Sequence, residues 1–205
     1  AVGIDLVLSS HKHSDHLDPG TMPDLLAGSS EAMLGLPAAI IDHAVESVGL
    51  DPSRLVGLEA GQTIERGGFR VRAIPSAHEG LDTDESGRNL YLGFVIESDG
   101  RRFYHSGDSL AYEGLADWLG TEPFDALFLP INGRDPSRGV PGNMTAGEAV
   151  ELASAVRPRW VVPHHYDMFE FNTVPVQGFE AEARRLPDGV RPAVLECGRR
   201  WEIRP

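Results

Sequence analysis

Cysteine and lysine are nearly missing from this 205-residue chain. Cys197 stands alone, which excludes an internal disulfide and any thiolate-rich metal site. Lys12 is the one lysine, and 18 basic side chains face 31 acidic ones, for a formal charge of −13. Such a balance repels a phosphate backbone, so binding along a nucleic acid is not expected. No run approaches the roughly 20 consecutive apolar residues of a membrane-spanning helix, and the chain does not open with a basic segment followed by an apolar one. A soluble protein in the cytoplasm is the expectation. Internal repeats and low-complexity tracts are also missing.

What is present, 41% apolar residues, suffices for one compact domain over residues 1–205. Residues 2–9 (VGIDLVLS) have the β-branched, apolar character of a buried strand. Asp18 and Pro19 suggest the cap and first turn of a helix reaching Leu26, and Pro37 a second helix ending at Gly49. Short strands with turns at Ala60-Gly61 and Gly67-Gly68 are expected from Leu55 to Ala77. Ser98-Asp99-Gly100 between LYLGFVIE and RRFYHSGD signals a hairpin. FDALFLPIN and RWVVPHHYD read as strands, Thr145 and Glu148 as the capping box of a helix that Pro158 ends, and 179–185 as a last helix.

Against this background the segment HKHSDH, residues 11–16, is unusual. In extended chain, residues i and i+2 project the same way, so His11 and His13 can face one point while Asp15 and His16, past a bend, face a neighbouring one. Two cations about 3.5–4 Å apart suit such crowding better than one closed site. Further candidate ligands stand where other expected strands run out: His78, Asp108 and either His164 or His165. Strand ends are where open sheets assemble their sites. A histidine-rich surface loop is the plain alternative for 11–16, and the downstream partners weigh against it. With neutral imidazoles, Asp15 and Asp108 are the only anionic ligands, so two dications keep about two positive charges for a hydroxide and an anionic substrate.

The order HxHxDH, lone His, Asp in a GD pair and late His resembles the metallo-β-lactamase superfamily of hydrolases, over residues 1–203. HKHSDHLD, FYHSGDS, RGVPGNMTAGEA and VVPHHYDMF further resemble its L-ascorbate-6-phosphate lactonase-like branch. The resemblance implies an α/β fold, the αβ/βα sandwich of two mixed sheets flanked by helices. It implies that His11, His13 and His78 hold one metal, that Asp15, His16 and a late histidine hold the other, and that Asp108 bridges. The branch pattern selects His165 as the late ligand.

Asp15 and Asp108 are the expected catalytic carboxylates, with a metal-bridging hydroxide as nucleophile. Two divalent ions are the expected cofactors, zinc first, with manganese or iron as alternatives. Arg134, Arg138, Tyr166 and His105 are candidate contacts for a small anionic substrate. A lactone or similar ester, possibly carrying phosphate, is the expected target; phosphodiester cleavage and a non-catalytic binding or assembly module are the alternatives. Family members carry several strands ahead of HxHxDH, whereas ten residues precede it here. The first sheet is therefore expected to lack its N-terminal strands, to be completed by a further segment or by a second copy in a homo-oligomer.

Overall fold

The computed structural model describes residues 3–203 and places them in two sheets. In the smaller, β1 (Leu6–Leu8), β2 (Met33–Pro37) and β3 (Leu55–Leu58) run parallel in that order. The larger begins with an antiparallel meander of β4 (Thr63–Arg66), β5 (Phe69–Pro75), β6 (Leu92–Ser98) and β7 (Arg101–His105). From β7 it continues parallel through β8 (Ala126–Pro130), β9 (Trp160–His164) and the short β10 (Arg191–Pro192). Helices α1 (Met22–Ala27), α2 (Ile41–Glu46), α3 (Leu115–Leu119), α4 (Ala146–Val156) and α5 (Gln177–Glu182) cover the outer faces.

Because side chains alternate along a strand, each sheet can feed two cores at once. On β5 and β6, Ala73 and Phe94 point between the sheets, while Ile74 and Val95 point to the core beneath α3, α4 and α5. On β1, Leu6 and Leu8 point inward and Val7 joins the cluster under α1 and α2. Four layers result, helix on sheet on sheet on helix, as the αβ/βα expectation requires. Leu127 on β8 is fully buried in the largest cluster. Leu127→Ala is expected to cost about 2–5 kcal/mol, read as a lower urea midpoint at unchanged slope.

Local chemistry accounts for most boundaries. Asp99 (φ 51°) and Gly100 (φ 72°) both take the left-handed turn that a two-residue hairpin needs between β6 and β7. The capping box of α4 is complete: Thr145 Oγ1 accepts from Glu148 N at 3.3 Å, and Thr145 N donates to the Glu148 carboxylate at 2.8 Å. Arg157 (φ 56°) and Pro158 then end the helix.

Three expectations are corrected. The first strand is realised only as β1, Val2 lying outside the described residues. The helix after Asp18 starts at Met22 behind Thr21, because Pro23 supplies the first turn and Asp18 spends its carboxylate on Thr21 N at 2.6 Å. The helix after Pro37 is a 3-10 turn, Ala38–Ile40, leading into α2, which stops at Glu46. The strand ahead of it, MLGLP, gave no alternating signal because Leu34 and Leu36 face the helices and Gly35 faces the other sheet. A Cβ at Gly35 would lie 2.9 Å from Leu8 Cδ2. The smaller sheet packs over β4, β5 and β6. Beyond them Ile96, Phe103, His105, Phe128 and Trp201 line an open cavity of about 430 Å³.

Candidate metal centre

Four strands deliver the site at their carboxyl ends. HKHSDH follows β1, after Ser9 N has extended the ladder to Gly35 O. His16 N and Leu17 N both return to His13 O, a turn that swings His16 back to His11 with ring centroids 4.1 Å apart. His78 lies three residues past β5, and Asp108 three past β7. Gly107 (φ 57°) turns the chain just before Asp108. His165 follows directly on β9, and its own φ of 59° takes it off the strand line. The parallel run β7–β8–β9 brings the ends that carry Asp108 and His165 to one side, while β1 of the smaller sheet and β5 of the meander supply the other two.

Two groups of ligand atoms form. His11, His13 and His78 make one; Asp15, His16, Asp108 and His165 make the other. His11 Nε2 stands 3.0 Å from His13 Nδ1. Asp108 joins the groups: its Oδ2 is 3.5 Å from His78 Nε2 and 3.2 Å from His165 Nε2, and its Oδ1 is 3.3 Å from His16 Nε2. Asp15 Oδ2 completes the second group at 3.5 Å from His16 Nε2 and 3.7 Å from His165 Nε2.

Four of these separations, at 3.3–3.7 Å, are longer than the range of about 2.7–3.2 Å in which hydrogen bonds cluster. Three of them, at 3.3–3.5 Å, match the edges of a tetrahedron whose centre-to-vertex bonds are about 2.0–2.2 Å, roughly 3.3–3.6 Å. Among the described residues, the buried Asp108 Oδ1 has no hydrogen-bond partner. Five imidazoles, two carboxylates and an orphaned buried oxygen fit divalent cations better than they fit one another.

Electrostatics divide the histidines. Burial drives His11 down to about 2, with the charge of His16 adding to it. Burial also lowers His13, helped by His78. His16 is opposed by burial yet rises to about 9, because Asp108 and Asp15 pair with its cation. His165 rises against burial for the same reason, through Asp108. Asp108, in turn, overcomes its own burial and lies well below the usual carboxylate range beside His16 and His165. Without cations, the His16 imidazolium thus pairs with both carboxylates; cation binding must displace its proton.

The two late histidines differ in position. His165 reaches both carboxylates, while His164 remains on β9 with its ring stacked 4.6 Å from His105. Of the four candidate substrate contacts, His105 lines a cavity of about 280 Å³ together with Asp15, His16, Ser10, Phe94 and Ile96. Arg134 is engaged in a fork on the Glu148 carboxylate and donates to Asn143 O. Arg138 ties the loop at Asn132 O (2.7 Å) to Thr173 O (3.3 Å). Tyr166 packs against the core beneath the helices, its hydroxyl 3.5 Å from Leu195 O. The structure does not bring these three into the ligand cluster.

Sequence reasoning missed several neighbours. Tyr91 sets its ring 5.3 Å from both His11 and His78 and 6.2 Å from His13. His78 Nδ1 is held at 2.9 Å by the carbonyl of Gly142. The glycine lies in RGVPGNMT, so that segment's place in the motif order was the available signal. A tyrosine inside LYLGFVIE carried none.

Residues 1–166 match the beta-lactamase superfamily domain. A UPF0173 metal-dependent hydrolase of Pyrococcus abyssi is 30% identical over 207 residues, covering 98% of this chain and 82% of that protein. Its counterpart in Thermococcus onnurineus is 33% identical over 204 residues, covering 97% and 82%. Among solved structures, Igni18, a metallo hydrolase from the archaeon Ignicoccus hospitalis, superposes with a TM-score of 0.74 at 21% identity, over 95% of this chain and 77% of that one. A fold of two facing sheets, a histidine and carboxylate cluster at their strand ends and a match across four-fifths of the sequence agree: the chain belongs to the metallo-β-lactamase superfamily.

Proposed function

We propose that this protein is a metal-dependent hydrolase holding two divalent ions, zinc first, that opens a lactone or similar ester in a small anionic molecule. The placement of Asp108 carries the reading: one buried carboxylate stands within 3.5 Å of imidazoles from both ligand groups. His11, His13 and His78 would hold one ion, Asp15, His16 and His165 the other, with Asp108 between them. Bound there, divalent ions polarise a substrate oxygen and make water a nucleophile near neutral pH.

The chain's own groups fit that role. Two carboxylates against two dications leave a local positive charge, which offsets the acidic surface for an anionic substrate. A cavity of about 280 Å³ sits at the small end of ligand pockets, in keeping with a small molecule rather than a polymer. Leu8, Phe94 and Ile96 give it an apolar wall, and His105 a polar one. The lactone assignment rests on the likeness of FYHSGDS, RGVPGNMTAGEA and VVPHHYDMF to the ascorbate-phosphate branch.

Chelation is expected to remove hydrolysis and a returned divalent ion to restore it, measured on parallel panels of lactones and phosphodiesters. Turnover of phosphodiesters alone would replace the substrate class. Metal retention with no turnover on either panel would point to a binding module, and failure to retain metal would end the proposal.

A further inference from the structure

Ser10 precedes the histidine segment and is buried. Its Oγ lies 2.9 Å from His11 Nδ1 and 3.0 Å from His16 Nδ1. One hydroxyl therefore touches a ring from each ligand group. In both rings Nε2 is the atom turned toward the cluster: His11 Nε2 faces His13, and His16 Nε2 faces Asp15 and Asp108. An imidazole that gives its Nε2 lone pair to a cation carries its proton on Nδ1. Two such N–H groups here converge on one oxygen, and a hydroxyl oxygen has two lone pairs to accept them.

The serine is itself fixed. Its carbonyl accepts from Leu92 N at 2.9 Å, tying it to β6. A Cβ on Gly107 would lie 2.5 Å from Ser10 Cβ and 2.8 Å from Ser10 Oγ. The turn that aims Asp108 thus closes against Ser10, and only glycine leaves the space. By contrast, the Gly142 carbonyl holds the outer nitrogen of His78 alone.

We infer that Ser10 is a positioning residue shared by both halves of the centre, orienting His11 and His16 together so that loss of one hydroxyl weakens both cation sites. The inference rests on the two-ion reading above.

Titration of metal-free protein with Co(II), followed by calorimetry and visible absorption, tests it. Wild type is expected to take two equivalents. In Ser10→Ala both affinities should fall about 10–100-fold, the usual cost of losing a group that orients a metal ligand. Ser10→Thr should stay within about threefold of wild type, since the hydroxyl is kept. Ser10→Val has the shape of threonine without the hydroxyl and should lose both sites as alanine does; it replaces Ser10→Ala if that variant fails to fold. Unchanged binding in the hydroxyl-free variants, loss of one ion only, or equal loss in Ser10→Thr and Ser10→Val would overturn the inference. Fewer than two equivalents in wild type would instead overturn the two-ion reading.

Discussion

Asp108→Ala is expected to lower kcat/KM for whichever substrate the panels identify by about 10³-fold or more, with far-UV circular dichroism nearly unchanged. A metal centre's contribution to its transition state is several kcal/mol, and about 4 kcal/mol corresponds to about 10³ in rate. The aspartate carboxylate reaches the Nε2 atoms of imidazoles from both groups, so its loss removes that connection as well as one charge. Asp108→Asn keeps the shape and should fail nearly as badly, because an amide cannot neutralise cations. His13→Ala is expected to behave similarly by opening the first group, leaving His11 and His78. Turnover close to wild type in either aspartate variant, with metal content unchanged, would remove Asp108 from the site. The folded metal-free variant should also report a chemical change: without Asp108, the upward shift of His16 loses its strongest opposing partner to burial and should relax downward, visible by NMR titration.

The second large effect is acid instability of the metal-free protein. Burial presses His105 down to about 4, and presses His164, stacked against it, well below its ordinary value. Gly107 N donates to His105 Nδ1 at 3.1 Å, a bond that needs the neutral ring. Above pH 6.5 neither state binds a proton there, and no linkage exists. As pH falls from 6.5 toward 4 the unfolded chain takes up a proton that the folded one refuses, so stability drops. For His105 the difference in pKa corresponds to at most about 3 kcal/mol, reduced by whatever solvent its cavity admits.

Urea midpoints of metal-free wild type and His105→Gln, measured from pH 7.5 to 4, should therefore converge toward acid, the glutamine variant losing less. Parallel curves would show that His105 titrates normally in the fold. His16 has the opposite sign. Its folded value of about 9 lies above that of the free side chain, so its contribution is full below pH 6.5 and fades as pH rises to 9. Metal-free stability should accordingly peak between the two ranges.

The clustered histidines and aspartates were legible in the sequence because groups at strand ends leave short-range marks. HKHSDH shows its spacing in six residues, and His78 and Asp108 each follow an apolar run that reads as a strand. The choice between His164 and His165 was not a matter of strand alternation, since His165 stands past the strand in a left-handed conformation. Arg134 and Arg138 looked like anion binders because charge and loop position are visible in a sequence, while their partners, Glu148, Asn132 and Thr173, become neighbours only on folding.

By itself the sequence singled out the histidines and aspartates that gather at the strand ends, where the hairpin turns and where α4 starts and stops, because each of these leaves a mark within a few positions. The tertiary structure alone decided what those side chains do together. The strand β2, whose residues are buried on both faces, the hydroxyl of Ser10 between two rings, and the reach of one carboxylate across both groups all depend on contacts between distant segments. Periodicity records which face of an element is apolar; it holds no record of what that face, or the loop beyond it, will meet.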